Sequence, residues 1–485
     1  MPSVHGPFTP LKSMVEREQK LAVEDDFRLP PIPGRPLPRR TFISTYFDTL
    51  DHCLARTGVT LRRRNEKGTA VWQLKLPLNG ARREIECGEP SMTPPPELVD
   101  ALIVLLKGKH LVPVAEIRTS RAAMRLREGK SELEAALDAV SVLRNGIVIQ
   151  RFKELEIESL NENERGIEKL LSILYRAGAR PHDGRPKLFR ALSLAYGSTE
   201  EPDPHAPIAE QIRHGLSRQL QTLKQCDPGI RLCGGADDVH RIRVAIRRMR
   251  TLLLAVRKIV SPDWVEPLLS GLKWLGGVFS LARDLDVQME YFRSEAEQLK
   301  PRDRRPLEQF LRHLASDREQ AQRTLLDEMK SARYVGFVRK LQDAADAPAV
   351  VKPAYTLRDA AARQFKKLRK TVRTLKRCPS DAELHRVRIQ TKRARYAAEL
   401  AQHDSKRIGR FIKAAAEFQN LLGRYHDAVV AARHVQAFIK YHGNRQAAFT
   451  AGILVERAKQ RREAVRSEFW SAWKRLKKRG TRAWN

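Results

Sequence analysis

The sequence predicts an α+β chain with two regions, strands first and helices after. Three observations predict this. Up to about residue 194, short runs alternate apolar and polar side chains with period two, as in residues 59–65, 70–76, 83–87 and 153–158. Beyond residue 207 the period becomes helical almost to the end. Within that helical region a single pattern occurs twice at identical spacing: His240-x-x-Arg243-x-x-x-Arg247-Arg248-x-Arg250 and His385-x-x-Arg388-x-x-x-Lys392-Arg393-x-Arg395.

In the strand region two helices, over 97–106 and 164–176, interrupt the alternation. The polar, proline-rich stretch STEEPDPHAP at 198–207 reads as a linker. Helices are then expected at 208–226, 236–260, 264–283, 285–299, 303–331, 355–377, 381–403, 406–423, 426–442 and 446–478, with a loop at 227–236. The Thr-Leu-Lys-x-Cys ending of the preceding helix also recurs, at Thr222–Cys226 and Thr374–Cys378. So does an acid-bearing element after the motif, Arg283-Asp284-Leu285-Asp286-Val287 and Arg424-Tyr425-His426-Asp427-Ala428. The expected domains are 1–197 and 208–485. The second is a duplication of four-helix bundles, with repeats at about 208–345 and 353–480.

The chain has 485 residues and a formal charge of +34. Residues 1–200 carry 32 Lys/Arg and 26 Asp/Glu, a net of +6; the rest carry 59 and 31, a net of +28. The helical half is therefore built to meet a polyanion. No apolar run is long enough to span a membrane, and the N-terminus has no apolar core of a secretory leader. The expected location is the cytoplasm. Five scattered cysteines without a C-x-x-C pair suit reduced thiols rather than disulfides or zinc.

The strands segregate charge. Alternation puts Glu16, Glu18 and Lys20 on one face. Arg62 and Arg64 lie opposite Leu61, and Lys75 lies opposite Trp72, Leu74 and Leu76. Glu154, Glu156 and Glu158 line one side of a strand whose other side is Leu155 and Ile157. Any one of these strands could simply turn its polar face to solvent. Taken together, acids of one sign on one strand repel unless a cation sits between them. A closed barrel with a polar lumen and helices over its apolar face would use every strand consistently, with carboxylates for a divalent ion and Arg/Lys for phosphate oxygens.

These residues resemble a known family. Glu16-Arg17-Glu18-Gln19-Lys20 has the E-x-E-x-K form. In order follow Tyr46-Phe47-Asp48-Thr49 through Leu61-Arg62-x-Arg64, Trp72-Gln73-Leu74-Lys75, Arg82-Arg83-Glu84, Arg118 to Arg121, Asp138, the Glu154/Glu156/Glu158 strand, and Lys187. Residues about 14–194 thereby resemble the CYTH domain, the triphosphate tunnel metalloenzymes. The resemblance implies an eight-stranded antiparallel tunnel with flanking helices that hydrolyses inorganic triphosphate with Mg²⁺ or Mn²⁺. Glu16, Glu18, Asp138, Glu154, Glu156 and Glu158 would be metal ligands. Lys20, Arg62, Arg64, Lys75, Arg118, Arg121 and Lys187 would bind substrate. Glu16, Glu18, Lys20 and Lys75 would carry catalysis. The segment 24–40 is short and proline-rich where many relatives have a helix, and Arg-x-x-Arg replaces a tighter basic pair.

The doubled motif resembles the CHAD domain, covering about 205–480. The resemblance implies binding of long-chain polyphosphate by His240, Arg243, Arg247, Arg248, Arg250, His385, Arg388, Lys392, Arg393 and Arg395, and a place at polyphosphate granules. Helical spacing brings the His, the +3 and the +7 residue to one side. His240 and His385 taken alone read as structural, and no second ligand at metal spacing accompanies either. With 6% aromatic residues and no base-reading motif, sequence-specific nucleic-acid binding is disfavoured. The alternative to an enzyme is a non-catalytic polyphosphate-binding scaffold.

Overall fold

The computed structural model describes residues 11–78, 80–161, 166–194, 206–352, 356–401, 405–442 and 444–484; most of the expected linker lies outside them. The chain divides into two compact units. One comprises Met1–Thr199 with Lys224–Gly234, the other Glu200–Leu223 with Gly235–Asn485.

The first unit is one antiparallel sheet of β1 (Lys12–Glu16), β2 (Glu18–Ala22), β3 (Arg35–Pro36), β4 (Arg40–Asp48), β5 (Thr60–Glu66), β6 (Thr69–Leu78), β7 (Ala81–Cys87), β8 (Val112–Glu128), β9 (Ser131–Arg144), β10 (Ile147–Ser159) and β11 (Arg180–Pro181). The order is β1-β7-β6-β5-β4-β8-β9-β10-β2-β11, with β3 on β8. Eight strands with a closed ladder were expected; the sheet has eleven and is not closed. The reason is local. β1 pairs with β7 and β2 with β10, so the signature segment is split at Arg17 and the chain passes there from one side of the sheet to the other. β3 and β11 are two-residue additions.

Alternation then sorts the side chains. Leu61, Trp72, Leu74, Leu76 and Ile85 form a core with Leu54, Leu98, Leu102 and Leu105, from α1 (Cys53–Arg56), α2 (Pro96–Ala101) and α3 (Ile103–Leu106) and the residue joining the last two. Leu21, Leu133, Leu155 and Ile157 pack with Leu170 and Leu174 of α4 (Ile167–Arg176). A third cluster joins Tyr46, Ile117, Val140, Val142 and Phe152 to Leu188 and Phe189 of α5 (Lys187–Ala191), which sets Lys187 at the head of that helix. Charged residues are left on the opposite side from the first two cores, facing inward. Asp48 is the fixed point of the β4–α1 corner. Its fully buried carboxylate accepts hydrogen bonds from the backbone N–H of Thr49 at 2.7 Å, Leu54 at 2.9 Å and Ala55 at 2.9 Å.

The remainder of the chain is helical: α6 (Ile208–Cys233), α7 (Ala236–Val256), α8 (Pro262–Val278), α9 (Ser280–Glu297), α10 (Pro301–Lys330), α11 (Ala332–Asp346), α12 (Leu357–Arg373), α13 (Asp381–Leu400), α14 (Lys406–His442) and α15 (Arg445–Trp484). Capping boxes start α12 (Thr356 with Asp359) and α13 (Ser380 with Glu383). The motif helices α7 and α13 pack on one another. Three expectations are corrected. α6 continues through Pro228 to Cys233, where a loop was expected. α11 was not anticipated. α14 runs unbroken through Gly423, where two helices were expected, whereas the first copy breaks at Phe279 after Gly276 and Gly277. The two copies are therefore unequal, and the helices do not fall into two matching four-helix bundles. Asp286 and Asp427 lie inside α9 and α14.

Removing the Asp48 carboxylate orphans three buried N–H donors. Asp48→Ala is expected to destabilise the sheet unit by about 2–4 kcal/mol, since a buried bond to a charged group is worth about 1.5–3 kcal/mol and the donors regain only a fraction from water. Urea unfolding followed through Trp72 fluorescence, in a chain where the other tryptophans are replaced, checks this.

Candidate functional site

In the sheet unit the inward charges surround one cavity. It is lined by Glu16, Glu18 and Lys20 from the signature strands, Arg62, Arg64 and Lys75 from β5 and β6, Arg82 and Glu84 from β7, Arg121 from β8, Glu156 and Glu158 from β10, and Lys187. Phe42, Tyr46 and Thr60 complete most of the wall.

Two charge networks occupy it. In the deeper one, Lys20 Nζ lies 2.8 Å from Glu154 and 2.6 Å from Glu156. Lys187 Nζ lies 2.9 Å from Asp138, 2.6 Å from Glu154 and 2.8 Å from Glu156. Arg121 grips Asp138 with two hydrogen bonds of 2.8 and 2.7 Å and reaches Glu156 at 2.5 Å. Burial opposes the charge on Lys20 and on Lys187, yet the surrounding acids hold both pKa values above the ordinary lysine range. Asp138, Glu154 and Glu156 place carboxylate oxygens all within 4.8 Å of one another and could hold a divalent metal ion. Three cations already balance these three acids.

The second network spans β1, β6 and β7 and reaches β5 and β4 through Arg62 and Tyr46. Lys75 Nζ sits 2.6 Å from Glu16 and 2.6 Å from Glu84. Gln73 Nε2 donates to Glu84 at 2.5 Å and to Glu86 at 2.6 Å, and its Oε1 accepts from Arg62 Nε at 2.7 Å. Arg62 also donates to the Tyr46 hydroxyl at 3.3 Å. Burial, ahead of the neighbouring Glu84, pushes Glu16 up to about 8. Burial alone would raise Glu84, but Lys75, the hydrogen bond with Glu16 and Arg62 together hold it down at about 2. Between the networks, Glu18 and Glu158 are register partners on β2 and β10, two like charges directly opposed. The cation nearest Glu18 is Lys20, at 4.0 Å. Burial, then Glu18 and other acids against Lys75, raises the pKa of Glu158. Such a pair is short of positive charge, and a hard divalent cation fits that deficit.

Among the expected residues, Glu16, Glu18, Lys20, Arg62, Arg64, Lys75, Arg121, Glu156, Glu158 and Lys187 converge on the cavity, with Asp138 and Glu154 fully buried beneath. Arg118 does not. It is three residues from Arg121, hence of opposite parity, and is exposed on the other face beside Ile43 and Ser141. Phe42 was missed, and Gln73 and Tyr46, though part of the quoted motifs, were given no role. Glu84 and Arg82 were seen in sequence but given no role; their shared face on β7, opposite Lys75, was the available signal.

In the helical unit α7 and α13 bring Arg243, Arg247, Arg388 and Lys392 together, each half-buried. Arg247 Nε donates to the buried Tyr396 hydroxyl at 3.1 Å. Arg243 reaches Ser280 Oγ at 2.9 Å and Asp284 at 3.5 Å. Arg388 Nε is buried without a hydrogen-bond partner. Burial, then Arg388 and Arg247 against Asp427, brings Lys392 down to about 7. His385 is exposed, its ring centroid 5.0 Å from that of His426 on α14, and His240 is exposed beside Arg243. Arg248 and Arg395 are drawn off by Glu399, at 3.3 and 2.8 Å. Arg250 and Arg393 are exposed. His426 was missed as a member, although the sequence pattern contained it.

Comparison with known proteins adds the following. Residues 14–184 match the family model of the CYTH domain, and residues 214–436 that of the CHAD domain. Over 473 residues the chain is 28% identical to an uncharacterized protein of Mycobacterium tuberculosis, strain H37Rv, with 91% of each chain covered. PptA from Streptomyces chartreusis aligns at 20% identity and TM-score 0.47, over 56% of this chain and 100% of that one. The CHAD domain from the plant Ricinus communis aligns at 23% identity and TM-score 0.47, over 57% of this chain and 96% of that one.

The Glu16 carboxyl gives a pH signature. Its pKa of about 8 lies above the unfolded value of 4.5, so between those pH values the folded state keeps a proton that the unfolded chain releases. The stability from this group is present below pH 4.5 and is lost as pH rises through 8. In metal-free buffer, Glu16→Gln is expected to flatten the fall in unfolding free energy of the sheet unit over that window, read from urea titrations at each pH.

Proposed function

From a chain that carries a CYTH domain followed by a CHAD domain, we propose a metal-dependent triphosphatase acting on inorganic triphosphate in the sheet cavity, fused to a module that binds inorganic polyphosphate. The observation that supports it best is the cavity's paired composition. Lys20, Arg62, Arg64, Lys75, Arg121 and Lys187 supply donors for phosphate oxygens. Glu16, Glu18 and Glu158 are the acids left with a deficit of positive charge. They would hold Mg²⁺ or Mn²⁺, with Asp138, Glu154 and Glu156 as the buried support. Such an ion, when bound, neutralises a phosphate chain and activates water.

The residues' own work follows from the geometry. Arg62 is oriented by Gln73 and Tyr46 before any substrate arrives, so its guanidinium is prearranged for an oxygen that gains charge as the P–O bond breaks. Lys75 lies between Glu16 and Glu84 and can exchange one carboxylate for a phosphate oxygen without losing both partners. Lys187 and Arg121 enter from the opposite side, so a short chain is held from two directions.

The helical cluster suits a longer, thinner anion. Arg243, Arg247, Arg388 and Lys392 are held half-buried and close together, and bound phosphates would relieve their repulsion. His240 and His385 at the edge would add hydrogen bonds. Such binding would place the protein at polyphosphate granules.

Two outcomes are expected. Phosphate release from tripolyphosphate with Mg²⁺ or Mn²⁺ should fall by about 10²-fold or more in Glu18→Gln and in Glu158→Gln, as for loss of a group acting on the transition state. Arg247→Ala with Lys392→Ala should leave that turnover unchanged and weaken polyphosphate binding. Wild type without metal-dependent turnover, yet binding tripolyphosphate, would favour the scaffold.

The Lys392 value sets a second test. A bound anion raises its pKa from about 7, so binding takes up a proton above pH 7. Polyphosphate affinity should fall from pH 7 to 9. Lys392→Arg should remove most of that fall in a calorimetric titration.

A further inference from the structure

Away from the motif cluster, α12 and the end of α15 form a second basic surface. The two helices run antiparallel. Arg358 at the start of α12 donates to the Ala483 carbonyl at 3.4 Å, and Trp470 Nε1 donates to the Arg377 carbonyl at 3.0 Å just beyond the end of α12. Gly480 lets the helices approach, since a Cβ there would collide with the Phe365 ring. Residues 363–377 and 474–482 hold 14 Lys/Arg and no Asp/Glu. All of these cations are exposed. Lys366, Lys370 and Arg373 follow i, i+4, i+7 spacing, and Lys474, Lys478 and Arg482 follow i, i+4, i+8, opposite the buried stripes of their helices. Among the described residues these six make no ion pair.

We infer that the outer face of the α12–α15 pair is a docking surface for duplex nucleic acid, held through the phosphate backbone without regard to sequence. Charge complementarity is the first argument. Like charges crowded without counter-charge attract a polyanion of matching length. α12 has 17 residues, a rod of about 25 Å, and a duplex carries about one phosphate per 1.7 Å of axis. The duplex thus offers about as many charges along the face as the face offers cations. Shape is the second argument. The half-buried Arg247–Lys392 cluster suits a thin chain, whereas two adjacent rods with long solvated side chains suit a broad partner whose phosphates lie on two strands. The chemistry between the cations is the third. Trp470 is the large aromatic exposed beside the face, and its indole N–H is tied to Arg377, so there is no row of rings for stacking single-stranded bases. Nor is there an apolar strip to enter a lipid surface.

The test uses the full chain and a fluorescent 30-base-pair duplex of random sequence, titrated by anisotropy from 50 to 200 mM salt. Replacing Lys366, Lys370, Arg373, Lys474, Lys478 and Arg482 by Gln should weaken binding about 10-fold or more at 100 mM salt. The slope of log affinity against log salt should become shallower by about 5. Exchanging each of the six for the other cation should preserve binding, separating charge from folding. Arg247→Ala with Lys392→Ala should keep duplex binding. Equal affinity and slope in wild type and the Gln variant would overturn the inference. So would a Gln variant that loses long-chain polyphosphate, or phosphatidylglycerol vesicles, while keeping the duplex.

Discussion

The structure of the sheet unit depends on one constraint: acids and bases are forced to share the inside of a curled sheet. Apolar residues of alternate parity are claimed by the cores under α1–α4, so Glu16, Lys20, Lys75, Arg121, Glu154 and Glu156 take the opposite face, with at most 16% of any of these side chains exposed. Buried charge is tolerated only when it is paired and hydrogen-bonded. Lys20, Arg121 and Lys187 meet that condition for Asp138, Glu154 and Glu156. Around Glu18, Glu158 and Glu16 it is met incompletely, since Glu16 shares Lys75 with Glu84, and burial, with the neighbouring acids, raises the pKa values of Glu16 and Glu158. A surplus of negative charge beside a surplus of phosphate donors is what a metal–phosphate pair would complete.

The helical unit solves the reverse problem. Two helices with the same cationic spacing, α7 and α13, are in contact, so repulsion accumulates where they meet. Tyr396 and Glu399 relieve some of it, taking up Arg247, Arg248 and Arg395. What remains, Arg243 with Asp284 at its edge, Arg247 held by the neutral Tyr396 hydroxyl, Arg388 and Lys392, is a half-buried cluster of like charges. The asymmetry between Arg247 and Lys392 matters, because a lysine can give up its proton near neutral pH and an arginine cannot.

Much of this was legible in the sequence, and the gaps have physical causes. Period-two alternation decided which face each strand turns inward, because a buried face fixes parity; Arg62, Arg64, Lys75 and the β10 acids follow directly. The choice between Arg118 and Arg121 needed the register of β8 against β9, which no local pattern contains. Glu84, Gln73 and Tyr46 were overlooked because their importance comes from cross-strand partners rather than from spacing along one strand. The split at Arg17 was invisible because β1 and β2 look continuous in sequence. In the helical half the motif spacing located Arg243, Arg247, Arg388 and Lys392. It also included Arg248 and Arg395, which Glu399, one turn beyond Arg395 on α13, removes from the set. The unbroken α14 was misread because Gly423 looks like a helix end, though nothing crowds it within 4 Å.

The most direct test of the central claim is a crystal of the protein grown with Mn²⁺ and a non-hydrolysable triphosphate analogue, measured at a wavelength where manganese scatters anomalously. The account predicts an anomalous peak bounded by Glu18 and Glu158, with phosphate oxygens reached by Arg62, Lys75 and Arg121. Manganese elsewhere, or an analogue bound outside the sheet cavity while these carboxylates keep only their lysine and arginine partners, would contradict it.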